Sequence, residues 1–298
     1  MASIYLLLTF PALVLASIDI EVSGKFDHDH SNLKVYYSGK QVDVITDKER
    51  NTFELNDGKL KDAIAAYFGR RPDDAYLRSP TPWNDLYRSY GWNQVLRTLT
   101  PKRGKILGIS SQPTIVMQQV FENNSTKPAD FDVGIHQTVQ NTVSSSWSKS
   151  GDLTLGQEIK YGFDLEVLNG GVTTAFRYTS SWGENTQKSE SITIGSTAGM
   201  KILLQPGQAV LASLHATRGT IKIELEYEAS LSGDAAVNYD DAYRGHHFWG
   251  LDVGAVMASN NLQNKKVSRE IIEFGFYTES KVVVNDKNTS VKVLEVAF

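Results

Sequence analysis

Apolar and polar residues alternate along residues 159–180, on both sides of Asn169-Gly170-Gly171. This period of two predicts two β-strands, each with one apolar and one polar face, joined by a tight turn. A two-residue turn at the first two of these turn residues sets Phe163 against Phe176, so the two apolar faces coincide. The pattern therefore predicts an amphipathic β-hairpin.

Each arm of this hairpin is about ten residues long. That length suits a tilted strand that crosses a bilayer, whereas strands of ordinary domains have about five or six residues. A hairpin built to meet lipid is the first interpretation. A long, half-buried hairpin of a soluble sheet shows the same alternation, and the pattern by itself leaves both interpretations open.

Hydroxyl side chains dominate the segments that flank the hairpin. Serine and threonine make up about half of residues 138–154 and again about half of residues 179–197. Threonine favours extended structure, and short hydroxyl groups can cover both faces of a sheet without requiring burial. A disordered linker has a similar composition, but the interspersed apolar residues favour two long polar strands.

Together these segments resemble the aerolysin-like β-pore-forming proteins, in particular the epsilon-toxin and mosquitocidal-toxin branch. The resemblance covers about residues 110–298 and depends on the composition and position of its segments. Within this family the chain is also similar to spherulin-type secreted proteins and to insect follicular-epithelium yolk proteins. The segments that carry the resemblance are residues 120–125, 137–155, the hairpin, the second hydroxyl-rich segment, 204–210 and 221–230.

The resemblance implies a mainly β, elongated aerolysin-like architecture of long, twisted antiparallel strands with a tucked hairpin, beside a smaller α+β N-terminal module. It implies a protein that binds a membrane lipid or a glycan receptor, forms a homo-oligomer and inserts the hairpin into a β-barrel pore. The side chains expected to face lipid are Ile159, Tyr161, Phe163, Leu165, Val167, Val172, Phe176 and Tyr178. Those expected to line the lumen are Lys160, Asp164, Glu166 and Arg177, whose charges cancel.

This interpretation predicts that Phe163→Asp or Phe176→Asp abolishes permeabilisation and leaves the soluble fold intact. Two other functions fit the same residues. One is a non-lytic structural or storage role, as in a yolk or coat protein of an egg or an extracellular coat. The other is lectin-like recognition through a dense group of aromatic residues in the N-terminal module.

Residues 17–110 form the predicted α+β module. Strand patterns occur at 33–37 and 42–45, a helix is predicted at 59–68 with Asp57 as its N-cap, and a second helix follows Thr81-Pro82. The aromatic side chains of this second helical stretch either bind a receptor, a glycan or lipid headgroups, or form a small core between helices and sheet. They are Trp83, Tyr87, Tyr90 and Trp92.

Strands dominate residues 111–298, the predicted pore-forming module. Residues 221–230 alternate cleanly, and residues 270–277, 281–284 and 290–296 predict a closing set of strands. We expect little helix here, and we expect the two modules to share strands or to abut closely.

Candidate chemistry is sparse. The chain has no cysteine, which excludes disulfides and thiolate sites. Asp27-His28-Asp29-His30 alternates between faces of an extended chain, which favours a solvated loop over a metal site. His246-His247-Phe248-Trp249 is either a pH-sensitive or metal-binding patch or a loop packed beside the sheet. No phosphate-binding glycine motif or nucleophile elbow is present, so we expect neither an enzyme nor a cofactor. The formal net charge of −4 does not suggest a nucleic-acid partner.

The first sixteen residues are largely apolar and end in small side chains, which predicts a signal peptide cleaved before Ser17. The absence of Lys and Arg near residue 1 departs from the usual pattern. A secreted, extracellular protein follows from this prediction. Asn123, Asn124 and Asn288 each begin a glycosylation sequon.

Overall fold

A computed structural model describes residues 17–26, 32–148, 158–167, 173–196 and 200–298. The predicted signal peptide, the Asp27-His28-Asp29-His30 segment and the predicted turn at Asn169-Gly170-Gly171 lie outside these residues. Strands far outnumber helices in the described part, so the predicted mainly β fold is confirmed. No helix in these ranges has both the length and the apolar content needed to cross a bilayer.

The secondary structure begins with strands, passes through three helices and then consists almost entirely of strands. The strands are β1 (Ile18–Phe26), β2 (Asn32–Ser38), β3 (Gln41–Val44), β4 (Asp74–Tyr76), β5 (Leu96–Glu122), β6 (Ala129–Asp132), β7 (Ile135–Trp147), β8 (Glu158–Val167), β9 (Thr173–Ser181), β10 (Thr186–Ser196), β11 (Lys201–Leu204), β12 (Ala209–Ser232), β13 (Asp234–Tyr243), β14 (His246–Asp252), β15 (Lys265–Asp286) and β16 (Lys292–Ala297). The helices are α1 (Asp47–Thr52), α2 (Asp57–Phe68), α3 (Pro82–Tyr90) and α4 (Val253–Ser259).

A long central sheet forms the body of the molecule, with strand order β10-β7-β15-β12-β5-β3 and with β16 paired to β15. Its three longest strands, β5, β12 and β15, have 27, 24 and 22 residues. At about 3.3 Å per residue these strands extend roughly 70–90 Å, which gives the elongated architecture. The two predicted hydroxyl-rich strands are β7 and β10, and they pair with each other antiparallel.

The predicted hairpin belongs to a second, smaller sheet with the order β2-β1-β8-β9. Strands β8 and β9 pair antiparallel, and β1 pairs with β8 in parallel along the whole length of β1. One face of this hairpin sheet packs on β12 and β15, and the largest apolar core lies between the two sheets. The hairpin is therefore held by an edge contact to β1 and by a face contact to the central sheet.

Helices and a three-stranded sheet form one end of the molecule. The sheet has the order β14-β13-β4, and α2 packs against α4. The boundary predicted after residue 110 falls inside β5. Strand β4 comes from the predicted N-terminal module, whereas its partner β13 comes from the predicted C-terminal one. The two parts therefore share strands in the described structure.

The helical predictions need correction in detail. Helix α2 is capped by Asn56, whose Oδ1 accepts a hydrogen bond from the Lys59 N–H at 3.1 Å, so Asp57 is the first helical residue and not the N-cap. Helix α4 was not expected. Its Asp252 cap accepts a hydrogen bond from the Ala255 N–H at 2.7 Å, but the helix has only seven residues, too few to give a clear period.

Helix α3 begins after Thr81, as predicted, but its first turn is unusual. Residues 83–85 have left-handed φ values of 59°, 62° and 60°. The Thr81 hydroxyl therefore does not bond the N–H two or three residues further on, as an ordinary N-cap does, but accepts a hydrogen bond from the Leu86 N–H at 2.8 Å. This left-handed turn carries Trp83 outward at the surface.

Candidate functional site

The predicted amphipathic hairpin is present as β8 and β9, with 10 and 9 residues. Their register sets Phe163 opposite Phe176 and Tyr161 opposite Tyr178, as the two-residue turn predicted. A bilayer-crossing β-strand needs about 9–11 residues. The two arms therefore have the length of membrane-crossing strands.

In this structure the apolar face of the hairpin faces the protein core. Tyr178 is half-buried, while Val172 and the side chain of Val167 lie outside the described residues. The other predicted lipid-facing side chains are at most 4% exposed: Ile159, Tyr161, Phe163, Leu165 and Phe176. An aspartate at position 163 or 176 would place an unpaired charge in this core. The expectation that such variants leave the soluble fold intact is therefore wrong.

Aromatic rings make most of the contact between hairpin and central sheet. Phe163 stacks on Phe274 of β15, with 4.5 Å between ring centroids. Phe176 packs on the same ring at 5.3 Å. Within the hairpin, Tyr161 and Tyr178 stack at 4.7 Å with almost parallel planes. The hairpin is thus docked through side chains, without backbone pairing to the strands beneath it.

One polar contact lies inside this apolar interface. Glu270 of β15 is 0% exposed, and its Oε2 accepts hydrogen bonds from the hydroxyl groups of Tyr161 at 2.7 Å and Tyr227 at 3.1 Å. Burial raises the pKa of Glu270 to about 7. Glu270 is not among the residues predicted from the sequence. A signal was present, because Glu270 shares the parity of Ile272 and Phe274 on the buried face of β15.

The predicted lumen-facing residues lie on the opposite, outer face of the hairpin. Arg177 donates hydrogen bonds to Asp164 Oδ2 at 2.6 Å and to Glu21 Oε2 of β1 at 3.1 Å. These carboxylates raise the pKa of the Arg177 guanidinium, whereas burial and the nearby Asp164 raise the pKa of Glu21. Gly162 makes room for the network, since a Cβ there would collide with both Glu21 and Arg177.

The two other predicted lumen-facing residues are also exposed. Glu166 forms an ion pair with Lys25 of β1 at 3.8 Å, and Lys160 is solvent-exposed. The outer face is therefore hydrated and carries ion pairs to β1. Exposed pairs of this kind contribute little stability, about 0–1 kcal/mol each.

Three of the four predicted surface-binding aromatics lie together at the helical end of the molecule. Trp83 and Tyr90 are 44% and 54% exposed, and Tyr90 stacks on the half-buried Trp92 at 4.7 Å. Phe248 of β14 lies between them, 5.2 Å from Trp83 and 6.1 Å from Tyr90. We call Trp83, Tyr90, Trp92 and Phe248 the aromatic surface.

Tyr87, the fourth predicted residue, belongs to the core and not to the aromatic surface. It is buried, and its hydroxyl oxygen lies 2.9 Å from the carbonyl oxygen of Tyr76 and 3.0 Å from that of Asp234, so the one hydroxyl proton is shared between these two acceptors. Burial raises the pKa of this hydroxyl. Sequence spacing could not separate Tyr87 from its neighbours, because the left-handed turn before it changes which residues share a face.

The histidine pair lies in a strand, although a packed loop was one of the predictions. His246 and His247 begin β14, and His247 Nδ1 lies 2.8 Å from the Tyr239 carbonyl oxygen. The part of the chain that the structure describes contains no group of three side chains placed to hold a metal ion.

The three predicted glycosylation sites differ in exposure. Asn124 and Asn288 are exposed. Asn123 is 2% exposed, and its Nδ2 donates to the carbonyls of Lys127 at 2.9 Å and Leu204 at 2.8 Å. The folded structure therefore leaves no room for a glycan on Asn123, which corrects that prediction.

The amino-acid sequence is similar to those of known megalopygitoxins. The chain is 36% identical over 285 residues to U-megalopygitoxin(8)-Mc8 of Megalopyge crispata, covering 95% of this chain and 98% of the relative. It is 36% identical over 283 residues to U-megalopygitoxin(8)-Mo12 of Megalopyge opercularis, covering 93% and 97%. No protein-family model matches the chain.

Among solved structures, parasporin-2, a Bacillus thuringiensis toxin that recognises cancer cells, has a similar fold. The TM-score is 0.62 at 14% sequence identity, and the match covers 87% of this chain and 100% of that one. This likeness confirms the aerolysin-like architecture predicted from the sequence.

Proposed function

The chain belongs to the U-megalopygitoxin(8) family, and on that premise we propose that it is a secreted toxin-like protein that forms β-barrel pores. The observation that carries the proposal is the hairpin of β8 and β9. It has one apolar and one charged face, and it is docked on the protein by side chains and by one edge strand. Such an element can leave the body of the protein without breaking the central sheet.

In the proposed pore, hairpins from several copies of the chain pair edge to edge. Closure is required because each unpaired backbone group in hydrocarbon costs several kcal/mol. The side chains now in the core face lipid: Ile159, Tyr161, Phe163, Leu165, Val167, Val172, Phe176 and Tyr178. Lys160 and Arg177 line the lumen with Asp164 and Glu166, so opposite charges balance and ion selectivity is weak.

Release of the hairpin requires β8 to separate from β1. Strand β8 has two edges, one paired with β9 and the other with β1. In a closed barrel the second edge must pair with a hairpin of the neighbouring copy. Strand β1 therefore occupies the edge that oligomerisation uses.

Attachment to the target surface precedes insertion in this proposal, and the aromatic surface is the candidate contact. Trp83 and Tyr90 combine exposed apolar rings with polar tips, which suits lipid headgroups or sugar rings. The left-handed φ values at residues 83–85 support this role, because strained backbone often occurs at binding sites.

Dye release from lipid vesicles and from cells tests the proposal. The experiment is done with and without protease trimming of the chain ends, and detergent-resistant oligomers are looked for in the same samples. The chain has no cysteine, so two engineered cysteines can form a disulfide only with each other within one copy of the chain. Asp19 and Lys160 are exposed register partners on β1 and β8. An Asp19→Cys/Lys160→Cys disulfide should block dye release, and reduction should restore it.

A matched control uses the same cysteine on β8. Lys160 also pairs with the exposed Thr179 on β9, and this pair stays together in a barrel. A Lys160→Cys/Thr179→Cys disulfide should therefore leave dye release intact. No release by the wild-type chain under any condition, or equal release by both oxidised variants, would reject hairpin insertion.

The absence of dye release would favour the non-lytic storage or coat role, which stays a prediction. The resemblance to spherulin-type and yolk proteins also stays a prediction. The lectin-like role also stays a prediction and is tested by glycan binding that is lost on Trp83→Ala and Trp92→Ala. We propose no enzymatic activity.

A further inference from the structure

A fully buried carboxyl group joins the hairpin to the central sheet. Tyr161 of β8 and Tyr227 of β12 both donate hydrogen bonds to Glu270 Oε2, and their own hydroxyl oxygens lie 3.2 Å apart. Among the described residues, Glu270 Oε1 is buried and receives no hydrogen bond. Tyr161 is the only member of this triad that leaves with the hairpin.

The groups that face Glu270 carry no positive charge. They are Tyr161 from β8, Tyr178 from β9, Tyr227 from β12 and Ser145 from β7. Burial raises the pKa of all three tyrosines, so their hydroxyl groups stay neutral. Within the described ranges, Glu270 forms no ion pair with Lys, Arg or His. A buried carboxylate without a cation is costly, so the docked hairpin favours a protonated Glu270.

We propose that Glu270 is a proton-operated latch: its neutral, protonated form fits the dry interface that the docked hairpin closes, whereas loss of the proton leaves a buried carboxylate without a cation and weakens the docking. The effect of the proton on docking is independent of the proposed function. Only its consequence, that the freed hairpin inserts into a bilayer, rests on the proposed function.

The direction of the pH effect follows from the two environments of the carboxyl group. Burial raises the pKa of Glu270 from its ordinary value of 4.5 to about 7, although the hydroxyl groups of Tyr161, Tyr227 and Ser145 act in the opposite direction. When the hairpin leaves, the carboxyl group meets water and its pKa returns towards the ordinary value. The docked state therefore retains a proton that the released state loses.

Docking is consequently strongest at or below pH 4.5, weakens as the pH rises and changes little above about pH 7. Because each pKa unit corresponds to a tenfold change, the ratio of docked to released hairpin falls on the order of 10²-fold across this window. An acidic medium would hold the hairpin in place, and a neutral or alkaline medium would free it.

Hydrogen exchange of the whole chain in solution tests the latch without a membrane. Protection of the β8 and β9 amides is measured from about pH 5 to about pH 8, corrected for intrinsic exchange and compared with β13 as a reference. We expect hairpin protection to fall on the order of 10²-fold relative to β13. Glu270→Gln, which keeps an acceptor but cannot ionise, should make hairpin protection independent of pH. The same pH dependence in this variant, or none in the wild type, would overturn the latch.

A second pair of variants separates a latch from a merely structural role. Tyr161→Phe and Tyr227→Phe each remove one hydroxyl donor from the same oxygen, but only the first residue belongs to the hairpin. At acidic pH, Tyr161→Phe should lower hairpin protection clearly more than Tyr227→Phe. Equal losses would contradict the latch. A chain that shows the pH-dependent protection but releases no dye would reject the proposed pore and keep the latch.

Discussion

Phe163 of β8 stacks on Phe274 of β15, so the ring that is proposed to face lipid in the pore is a core residue of the docked protein. Both environments exclude water, and the same apolar side chain suits each of them. This explains why the hairpin has a membrane-like pattern in a folded protein. It also means that substitutions on this face change the docked and the inserted state together.

Phe163→Ala should lower the free energy of unfolding by about 3–5 kcal/mol, because it removes a buried ring and leaves a cavity against Phe274. Urea denaturation followed by tryptophan fluorescence measures the change. Lys160→Ala, at the exposed face of the same strand, should change stability by less than about 0.5 kcal/mol. Similar losses in the two variants would contradict the docked arrangement.

Arg97 supports the first helix from inside the protein. It is 1% exposed, and it donates to Glu49 Oε1 at 2.8 Å and to Asp43 Oδ2 at 2.9 Å. Arg97→Met should cost about 3–5 kcal/mol, because Glu49 is then a buried carboxylate without its cation. Adding Glu49→Gln should recover part of this loss, which a double-mutant cycle in urea measures. Strictly additive losses would show that the two side chains do not interact.

Trp83→Ala and Tyr90→Ala should weaken attachment to vesicles or cells about tenfold or more each, while the urea midpoint stays unchanged, because both rings are exposed. Co-sedimentation measures the attachment. Tyr87→Phe is the matched control: it removes the hydroxyl that is shared between two buried carbonyl groups and should lower stability by about 1–3 kcal/mol without changing attachment. Undiminished attachment in the first two variants would exclude the aromatic surface as the contact.

Secretion from a eukaryotic cell should add glycans at Asn124 and Asn288 but not at Asn123, whose amide is buried. Mass spectrometry of Asn124→Gln and Asn288→Gln should show the loss of one glycan each. Asn123→Gln should leave the glycan mass unchanged and reduce stability, since the longer side chain cannot keep both hydrogen bonds. A glycan on Asn123 would require residues 123–127 to open.

The period-two patterns predicted much of the fold because each strand has one wet and one buried face. The hairpin register at Phe163 and Phe176 and the existence of the two hydroxyl-rich strands follow from such local information, whereas the pairing of those two strands does not. Glu270 shows where this reasoning fails. Its charge suggests the wet face, while its position in the alternation places it on the buried face of β15.

Other features depend on contacts that sequence spacing does not encode. The parallel pairing of Ile18 with Ile159 joins distant parts of the chain, and no turn residue announces it. The left-handed turn at residues 83–85 redirects the aromatic side chains, so Tyr87 enters the core while Trp83 stays at the surface. Local propensity predicts the helix there but not its hand in the first turn.

The parallel contact between β1 and β8 also sets an order of events during synthesis. Strands β1 and β2 emerge early and can pair locally, whereas β8 follows more than a hundred residues later. Until β8 is made, the edge of β1 that β8 will occupy is unpaired. Pairing is then slow, because it closes the long loop between β1 and β8. A nascent chain that misfolds at β1 would leave the outer edge of β8 unpaired and able to pair with other chains. The early pairing of β1 with β2 therefore protects the hairpin against premature self-association.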